Sequence, residues 1–526
     1  MHSSPLNLPE SFNVATHFVD RNVLEGRGDK IAIECGADRI RYQRLLEQTN
    51  RAGNRLRNAG VRPGERVLLL LLDSPEFLYY FFGAIKIGAV PIPTNPFLKP
   101  DNYEYLLNDS QARVVVTSEP LAPQIRCLPP EKLGYLSETI AMEDGKTESA
   151  SPQLEAEPTG RDTPAFWLYS SGTTGSPKAC IHLHRDMVVS TELYAKAILG
   201  MNETDRCYSV ARLFFAYGLG NAGYFPLGCG ATTILSPARP TPAGVYADVE
   251  RYRPTLFFSV PSNYAELLAY ASSDGRNFDL SSVRHAISAG EALPAPVFER
   301  FKKRFAVEIL DALGSTETLQ MVISNRPDAP RAGSSGKVIP GYEAKILDEN
   351  GKPVPRGEIG NLFVKGDSIC AGYWNQPEKT KQVFEGEWYR TGDKYYQDED
   401  GYMWYAGRSD DTFKVNGRWL SPAEVESSLV AHPAVREAAV VERNDENGLT
   451  KPAAYVVVNP EFAAGEQLSR ELQEWVAQKA GSFKRPRWIE YLPALPRTAT
   501  GKLQRFKLRE LQAQQSRPGE RGTREK

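Results

Sequence analysis

The chain has 526 residues, which is too long for one hydrophobic core and predicts two or more domains. Its net charge of −2 and isoelectric point near 6.4 exclude a whole-chain attraction to nucleic acid or to an anionic membrane. Its six cysteines include no Cys-x-x-Cys pair, which argues against a zinc site or a disulfide framework and favours a reducing compartment.

The first ten residues are polar and contain proline, so the sequence predicts no secretory signal peptide. The most apolar region, residues 67–93, is interrupted by Asp73, Glu76 and Lys86, which favours a buried strand and a helix over a membrane span. We therefore expect a cytoplasmic protein with neither a membrane nor a nucleic-acid partner. The oligomeric state is left open between monomer and homodimer.

Strands and helices alternate through residues 11–156, with strands expected near residues 30–34, 67–72, 89–93 and 112–117 and helices near 42–59, 75–87 and 102–108. The alternation resumes after the polar stretch 155–164, with strands near residues 207–210, 231–235, 255–260, 285–288 and 308–311. Such alternation implies crossover connections and largely parallel sheets with helices on their faces.

Beyond residue 336 the pattern changes to short strands separated by turns, which predicts a small β-rich, barrel-like region over residues 336–409. Residues 410–526 form a last unit that is large enough for a separate α+β domain. Its end, residues 514–526, is charged and free of large apolar side chains, so we expect a disordered tail. The predicted fold is α/β, with a large N-terminal domain of two parallel-type sheets (residues 1–409) joined by a hinge to a small mobile C-terminal domain (residues 410–526).

Residues 170–178 read Ser-Ser-Gly-Thr-Thr-Gly-Ser-Pro-Lys, between an apolar run and a helical pattern that starts near His184. Glycine lets backbone N–H groups approach a phosphate closely, the hydroxyls add donors, and Lys178 adds a positive charge. Because Pro177 breaks the Walker spacing, this is a different kind of phosphate loop. The alternative is a polar surface turn with a solvated lysine.

A second motif follows an apparent strand that ends at Asp311 and reads Gly314, Ser315, Thr316 and Glu317. A hydroxyl and a carboxylate at the C-terminal end of a strand suit a nucleotide phosphate and its Mg²⁺, which prefers hard oxygen ligands. The alternative is the first turn of a helix, capped by Ser315 and followed by a favourable early glutamate.

A third motif combines Trp-Tyr-Arg-Thr-Gly-Asp at residues 388–393 with Gly-Arg-Ser-Asp-Asp at residues 407–411. The Asp393 carboxylate can accept both ribose hydroxyls, and Arg408 can neutralise a phosphate or fix the sugar. An aspartate after a glycine is otherwise an ordinary turn residue.

A fourth motif, Leu-Pro-Arg-Thr-Ala-Thr-Gly-Lys at residues 495–502, is too rich in threonine and glycine for regular structure. A lysine on a flexible loop of a separate domain can be brought in for one reaction step and withdrawn for another. The alternative for Lys502 is a solvated surface charge.

Taken in order, these motifs resemble those of the acyl-adenylate-forming superfamily, which contains acyl-CoA synthetases, luciferases and the adenylation domains of peptide synthetases. The resemblance covers about residues 15–512. It is greatest for the benzoate-CoA ligase (aryl-CoA ligase) group, because residues 214–227 read Phe-Phe-Ala-Tyr-Gly-Leu-Gly-Asn-Ala-Gly-Tyr-Phe-Pro-Leu. It implies an enzyme that joins an acid to AMP and then passes the acyl group to coenzyme A.

Three positions depart from the family pattern: Ala179 replaces a glycine, Leu313 replaces an aromatic residue that packs on adenine, and Phe215 replaces a frequent histidine. The third departure, Phe215, lies in the segment that corresponds to the family's acid-binding pocket. No charged residue stands near Phe215 to pair with an α-ammonium group, which argues against an α-amino acid because an unpaired buried ammonium is costly. Aromatic residues followed by small ones suit a flat ring.

The resemblance implies a role for each matching residue. The catalytic residues are Lys502, Thr316 and Glu317, of which Glu317 also holds Mg²⁺, and the hinge is Asp410. The ATP-binding residues are Ser170, Ser171, Gly172, Thr173, Thr174, Lys178, Gly290, Glu291, Ala292, Asp311, Leu313, Gly314, Ser315, Asp393 and Arg408. The stretch 288–294 resembles the family's turn on the adenine side. The acyl substrate contacts Phe214, Phe215, Ala216, Tyr217, Gly218, Ala289, Leu319, Gln320 and Met321, and coenzyme A contacts Lys414, Gly417, Arg418 and Trp419.

We therefore expect an AMP-forming aryl-CoA ligase that uses ATP, Mg²⁺ and coenzyme A on benzoate, aminobenzoate or hydroxybenzoate. Gln320 is placed to hydrogen-bond a ring amino or hydroxyl group. The alternative is an enzyme that loads an aryl acid onto a free acyl carrier protein. Gly218, Gly220 and Gly223 match the dinucleotide fingerprint by letter, but no clear strand leads into them and Pro226 follows, which argues against a nicotinamide site.

Overall fold

The computed structural model describes residues 6–170, 177–271, 277–409, 411–415, 418–446, 448–497 and 503–515, with the backbone alone for residues 513–515. In chain order the strands are β1 Ile31–Cys35, β2 Asp38–Arg41, β3 Arg66–Leu70, β4 Val90–Pro93, β5 Ala112–Thr117, β6 Glu138–Ala141, β7 Pro164–Ser170, β8 Lys178–Leu183, β9 Arg206–Ser209, β10 Thr232–Leu235, β11 Leu256–Ser259, β12 His285–Ser288, β13 Ile309–Gly314, β14 Met321–Ser324, β15 Lys337–Val338, β16 Glu343–Leu347, β17 Gly360–Lys365, β18 Phe384–Glu385, β19 Trp388–Gln397, β20 Met403–Arg408, β21 Phe413–Val415, β22 Arg418–Leu420, β23 Val435–Asn444, β24 Thr450–Val458 and β25 Trp488–Tyr491.

The α-helices are α1 Arg21–Leu24, α2 Tyr42–Asn58, α3 Pro75–Lys86, α4 Pro100–Ser110, α5 Pro123–Arg126, α6 Lys146–Ser149, α7 His184–Ser190, α8 Ala216–Leu219, α9 Phe225–Gly228, α10 Pro242–Tyr252, α11 Pro261–Ala269, α12 Ala295–Phe305, α13 Pro377–Val383, α14 Pro422–Val430, α15 Glu466–Ala480 and α16 Arg505–Gln515. Short π-helical segments cover Thr16–Asp20, Thr191–Lys196 and Gly220–Tyr224, and 3₁₀ turns cover Pro130–Lys132 and Ser482–Lys484. None of the helices in the described ranges is both long enough and apolar enough to cross a bilayer.

The large domain is built on a nine-stranded sheet in the order β15-β14-β13-β12-β11-β9-β10-β1-β2. Its six central strands, from β13 to β1, are parallel, and antiparallel strands close both ends. The register sets Ser259, Ser288 and Asp311 side by side near the C-terminal ends of β11, β12 and β13. In parallel sheets the ligand site lies beyond this edge, so the sheet places the second motif where a nucleotide would bind.

A second, parallel sheet runs β4-β3-β5-β6. Its strands are nearly continuous apolar runs, as expected for strands covered on both faces, and β3 is buried from Val67 to Leu70. The hairpin of β7 and β8 packs against β4, with Trp167 and Ala179 in the same apolar cluster as Ile92. The two sheets and the hairpin confirm the parallel-type α/β core expected from the sequence.

The β-rich region expected over residues 336–409 is an antiparallel sheet of β16, β17, β19 and β18, with β20 added on β19. The small C-terminal domain has a hairpin, β21 and β22, and a three-stranded sheet, β23-β24-β25, packed by α14, α15 and α16. A large α/β domain followed by a small α+β domain is the architecture that the sequence predicted.

Two expectations need correction. The chain enters a strand, β8, before the helix that starts at His184, whereas the sequence predicted a loop leading directly to the helix. Strand β8 is stabilised by pairing with β7, a tertiary contact that local patterns do not encode. The helix α16 continues to Gln515, so the expected disordered tail is wrong at residues 514 and 515, and residues 516–526 lie outside the described residues.

Candidate active site

The antiparallel hairpin of β7 and β8 carries the predicted phosphate loop. Its register pairs Ser170 with Lys178, so the two residues that bound the loop lie side by side. The predicted contacts between them, Ser171, Gly172, Thr173 and Thr174, lie outside the described residues. Because side chains alternate along a strand, β8 fixes the face from which Lys178 projects.

Lys178 belongs to a buried polar cluster with Glu317 and Tyr373. Its ammonium lies 3.3 Å from Glu317 Oε1 and donates to the Tyr373 hydroxyl at 2.6 Å. The Tyr373 hydroxyl in turn donates to Glu317 Oε1 at 2.8 Å. Burial alone would raise the pKa of Glu317, but the Lys178 ammonium and the Tyr373 hydroxyl outweigh it and hold that pKa below its ordinary value. The cluster therefore keeps an ionised carboxylate inside the protein.

This cluster suits a magnesium ion that arrives with nucleotide phosphates. The contacts of Glu317 with Lys178 and Tyr373 both involve Oε1. Across the described ranges no three His, Cys, Asp or Glu side chains are grouped as a metal site. Mg²⁺ is commonly held by one or two carboxylates plus substrate phosphates and water, so one ionised carboxylate beside a lysine fits that ion.

The backbone of residues 316–318 is fixed from two sides. Its three successive carbonyl oxygens accept hydrogen bonds, in order, from His182 Nε2 at 2.8 Å, the Cys370 N–H at 2.8 Å and the Ser368 hydroxyl at 2.9 Å. His182 belongs to β8, whereas the other two donors belong to the loop that follows β17. These bonds determine the direction in which the Thr316 and Glu317 side chains project.

His182 was not predicted from the sequence. It is fully buried, its Nδ1 lies 3.0 Å from Asp186 Oδ2, and that oxygen also accepts the Leu183 N–H at 3.0 Å. Because the Thr316 carbonyl only accepts, Nε2 must carry the proton of the bond between them. Burial raises the pKa of Asp186 despite the opposing effect of His182. A histidine and an aspartate four residues apart are too common in sequences to predict that this histidine positions Thr316.

The predicted ribose residues are adjacent on β19 and β20, whose register pairs Asp393 with Arg408. The Arg408 guanidinium donates to Asp393 Oδ1 at 3.1 Å and to the Thr391 carbonyl at 3.2 Å. Between them Gly392 has φ of +75°, and a Cβ there would lie 2.9 Å from Arg408 Nη2. Glycine is therefore required for the close approach of arginine to this turn.

The predicted adenine side is formed by the turn after β12 and by β13. Gly290 has φ of +91°, which favours glycine at this turn. On β13 the carboxyl of Asp311 is buried, and burial raises its pKa to about 8, while the Leu293 N–H and the Ser288 hydroxyl lower it. Burial thus favours the protonated form of Asp311, and a protonated carboxyl can both donate and accept. Leu313, two residues further along the same strand, is only partly buried.

The predicted acyl wall, residues 214–218, contains no charged side chain. The Phe214 and Phe215 rings are 4.4 Å apart, and the Tyr217 hydroxyl lies 3.1 Å from the carbonyl oxygens of Ser259 and Ile287. A Cβ at Gly218 would lie 2.1 Å from the Arg212 carbonyl oxygen, so only glycine fits where the wall folds back. The wall is anchored to the C-terminal ends of β11 and β12.

Gln320 joins this wall to the second motif. Its amide nitrogen donates to the Ala216 carbonyl and lies 3.5 Å from the Tyr217 carbonyl oxygen. Carbonyl oxygens only accept, so the amide nitrogen faces the wall and Oε1 faces away. A Cβ at Gly220 would lie 2.1 Å from the amide nitrogen, so glycine leaves room for it. Leu319 and Met321, on either side, are buried, as is Ala289.

The predicted coenzyme A loop lies on β21 and β22. The Lys414 ammonium is 4.9 Å from the Trp419 ring centroid, and Arg418 is 5.5 Å from the ring of Phe483. On the other side, the ammonium of Lys394, a residue of the large domain, lies 3.5 Å from the Trp419 centroid. Three further predicted residues, Asp410, Gly417 and Lys502, lie outside the described residues.

Comparison with known proteins identifies the family. A family model described as "AMP-binding enzyme" matches residues 19–374, and one described as "AMP-binding enzyme C-terminal domain" matches residues 424–502. The chain belongs to the AMP-binding enzyme family. The resemblance to the acyl-adenylate-forming superfamily, nearest its benzoate-CoA ligase group, is confirmed.

Individual relatives of this AMP-binding enzyme match over nearly the whole chain. Benzoate–CoA ligase of Thauera aromatica is 46% identical over 516 residues, which are 96% of this chain and 97% of the relative. The 4-hydroxybenzoate–CoA/benzoate–CoA ligase of Rhodopseudomonas palustris is 42% identical over 525 residues, 97% of each chain. The crystal structure of anthranilate CoA ligase AuaEII in complex with anthranoyl-AMP superposes with a TM-score of 0.92 at 41% identity, covering 96% of this chain and 98% of AuaEII.

Proposed function

We propose that this protein is an ATP-dependent aryl-CoA ligase, an AMP-forming acid–thiol ligase. The observation that carries the proposal is the bond of Gln320 to Ala216, which joins an uncharged aromatic wall to the strand pair that bears Thr316 and Glu317. An acid with a flat, uncharged ring and a nucleotide phosphate would thereby meet at one edge of the sheet. The aryl-CoA ligase relatives support the same reaction.

In the first half-reaction a carboxylate oxygen of the acid attacks the α-phosphorus of ATP. The bond from that phosphorus to the bridging oxygen breaks, and pyrophosphate leaves. Lys178 and the loop 170–178 bind phosphate oxygens, and Thr316 donates its hydroxyl to another. Glu317 would hold Mg²⁺, which neutralises phosphate charge when bound.

Asp393 and Arg408 hold the ribose, and the turn of Gly290 to Ala292 with Asp311 and Leu313 receives the adenine. Lys502 stabilises the negative charge that develops on the α-phosphate oxygens. In the second half-reaction the thiolate of coenzyme A attacks the acyl carbon and AMP leaves. Lys502 must then withdraw, which a rotation about Asp410 accomplishes.

The acid is a benzoate bearing hydrogen or a small polar ring substituent. A ring can lie against Phe215 and Tyr217 beside the space left by Ala216 and Gly218. Among residues 319–321, which are predicted to contact the acid, only Gln320 has a side chain that forms hydrogen bonds through an amide. An amino or hydroxyl substituent on the ring would therefore form a hydrogen bond with the amide of Gln320.

The test is a panel of acids with ATP, Mg²⁺ and coenzyme A, followed by pyrophosphate release and mass spectrometry of the thioester. We expect benzoate, aminobenzoates and hydroxybenzoates to react faster than straight-chain fatty acids and amino acids. Faster reaction of any fatty acid than of every benzoate contradicts the proposed acid class. Lys502→Ala should slow acyl-AMP formation far more than the transfer of a supplied acyl-adenylate to coenzyme A.

The same panel addresses the carrier-protein alternative. A ligase that uses coenzyme A releases acyl-CoA and AMP with no added protein. An enzyme that loads a carrier would form acyl-AMP and pyrophosphate but no acyl-CoA, and it would form an acyl-carrier thioester once a phosphopantetheinylated carrier protein is added.

A further inference from the structure

The carboxylate of Glu291, in the turn after β12, reaches across to the C-terminal domain. Its oxygens accept hydrogen bonds from Arg497 Nη1 at 3.1 and 3.3 Å, and Oε1 also accepts the backbone N–H of Leu503 at 3.1 Å. One carboxylate of the large domain thus holds the residue that precedes the segment 498–502 and the residue that follows it.

The two anchored residues are also paired with each other. Arg497 and Leu503 form an antiparallel bridge, and the Arg497 guanidinium is bonded at 2.8 Å to Glu437 of its own domain. The side chains of Arg497, Glu291 and Glu437 are each only about a quarter exposed. Charge-assisted hydrogen bonds in such partly desolvated sites are stronger than surface ion pairs.

The charge around Arg497 is shared between the domains. Glu266, on α11 of the large domain, also lies within electrostatic reach of Arg497. Burial and the charge of Glu437 raise the pKa of Glu266, whereas the charge of Arg497 lowers it. Carboxylates from both domains therefore surround one guanidinium. An arrangement of this kind favours the docked position of the small domain over any position in which the acidic groups of the large domain lose their cation.

These contacts give Glu291 a role other than the nucleotide contact that its sequence position implies. Both oxygens of its carboxylate accept hydrogen bonds from the small domain, whereas the adenine contact proposed for this turn does not need a charged side chain. The neighbouring Gly290 and Ala292 have no charged side chain and remain suited to the adenine.

We propose that Glu291 is a positioning residue that docks the C-terminal domain for acyl-adenylate formation alone. The inference rests on the proposed function, in which Lys502 serves the first half-reaction and withdraws for the second. Because Lys502 directly precedes Leu503 in the sequence, an anchor on Leu503 lies next to the proposed catalytic lysine. The same anchor must be released before coenzyme A reacts.

The kinetic test compares the parent enzyme with Glu291→Gln, Arg497→Gln and the double variant. We expect each single variant to slow single-turnover pyrophosphate release by about tenfold or more, the size expected for a charge-assisted bond. Transfer of a supplied acyl-adenylate to coenzyme A should stay within about twofold. The double variant should be no slower than the slower single variant, because both substitutions disrupt the same contact between Glu291 and Arg497.

A matched control is Glu490→Gln, which removes a 2.9 Å ion pair with Arg443 inside the small domain, where both side chains are 24% exposed. It should leave both half-reactions unchanged. Equal slowing of the two half-reactions by Glu291→Gln, or no slowing of either, overturns the proposal, as do effects that multiply in the double variant.

A second measurement needs no substrate and so separates this proposal from the assignment of the reaction. Limited trypsin digestion reports how often the segment around residues 408–418 is accessible, since it contains Arg408, Lys414 and Arg418. We expect cleavage there to accelerate several-fold in Glu291→Gln and Arg497→Gln but not in Glu490→Gln. An unchanged cleavage rate overturns the docking role even if the enzyme acts on benzoates, whereas accelerated cleavage supports it even if no tested acid reacts.

Discussion

Nε2 of the buried His182 donates to the carbonyl oxygen of Thr316 at 2.8 Å, which ties the strand after the phosphate loop to the second motif. Replacing His182 by Ala would remove this bond and leave Asp186 buried without its ring partner. We expect a loss of several kcal/mol in the free energy of unfolding and at least a tenfold slower acyl-AMP formation.

Two further variants test whether the slower acyl-AMP formation results from the lost bond to Thr316. Asp186→Asn keeps an oxygen that can accept the Leu183 N–H and leaves the bond of His182 to Thr316 in place, so it should be milder than His182→Ala in both measurements. His432→Ala removes another buried histidine with a carboxylate partner, Glu471 at 3.0 Å, in the small domain. If His432→Ala slowed acyl-AMP formation as much as His182→Ala, the specific role of the Thr316 contact would be lost.

Tyr373→Phe should weaken the binding of magnesium-ATP. The variant keeps the ring but removes the hydroxyl that bonds Glu317 and Lys178. We expect about a tenfold rise in KM for magnesium-ATP, with a smaller change in kcat, because a bond to a charged group contributes about 1.5–3 kcal/mol. Steady-state kinetics check this. Tyr246→Phe, which removes a buried hydroxyl bonded to the Leu267 carbonyl far from this cluster, should leave KM unchanged.

Asp311 should make the protein less stable as pH rises. Its folded pKa is raised to about 8 by burial, above the ordinary value of 3.8, so between these values the folded state holds a proton that the unfolded state has lost. The stabilising contribution is complete below pH 3.8 and is lost as pH rises through about 8. It changes the free energy of unfolding by about −1.4 kcal/mol per pH unit within that window.

Denaturant unfolding from pH 5 to 8 tests this contribution by comparing the parent protein with Asp311→Asn. The variant should have a shallower decline with pH, by up to about 1.4 kcal/mol per unit. Asp29→Asn, at a side chain that is 99% exposed, should follow the parent curve. Identical slopes for Asp311→Asn and the parent would show that the Asp311 carboxyl is already ionised in the folded protein.

Gln320→Leu should change which acid the enzyme prefers. It removes the amide that would bind a ring amino or hydroxyl group, and with it the bond to the Ala216 carbonyl. We expect kcat/KM for the preferred substituted benzoate to fall by about tenfold or more relative to benzoate, because a polar substituent would lose its partner. The ratio of the two values, measured in one preparation, corrects for any loss of folded protein. A ratio unchanged by the substitution would contradict a role for Gln320 in reading the ring.

The order of strands and helices could be predicted because the hydrophobic pattern of this chain is regular. Strands β5 and β12, for example, match their predicted bounds, since each is an apolar run between polar turns. Strand β8 could not be found this way. It contains a histidine and a lysine, and it is a strand because β7 lies beside it.

The contacts between residues of the candidate site could be predicted only where those residues are close in the sequence. Asp393 and Arg408 meet because one hairpin joins them, and the acyl wall was recognised as a continuous stretch. Tyr373 completes the cluster of Lys178 and Glu317 although it lies 56 residues beyond Glu317, a separation that carries no local signal. The contact of Glu291 with Arg497 likewise joins residues 206 positions apart and depends on how two domains meet.

The three hydrogen-bonded carbonyls of residues 316–318 end immediately before Leu319, where the backbone turns to φ of +65°. The backbone of Glu317 is therefore held largely by donors that lie outside residues 319–321, although those residues are its neighbours in the chain. We expect side-chain substitutions at residues 319–321 to change the acid preference with little displacement of Glu317. Changes in the segment 319–321 would thus allow an AMP-binding enzyme to accept different acids while the residues that bind the phosphates stay the same.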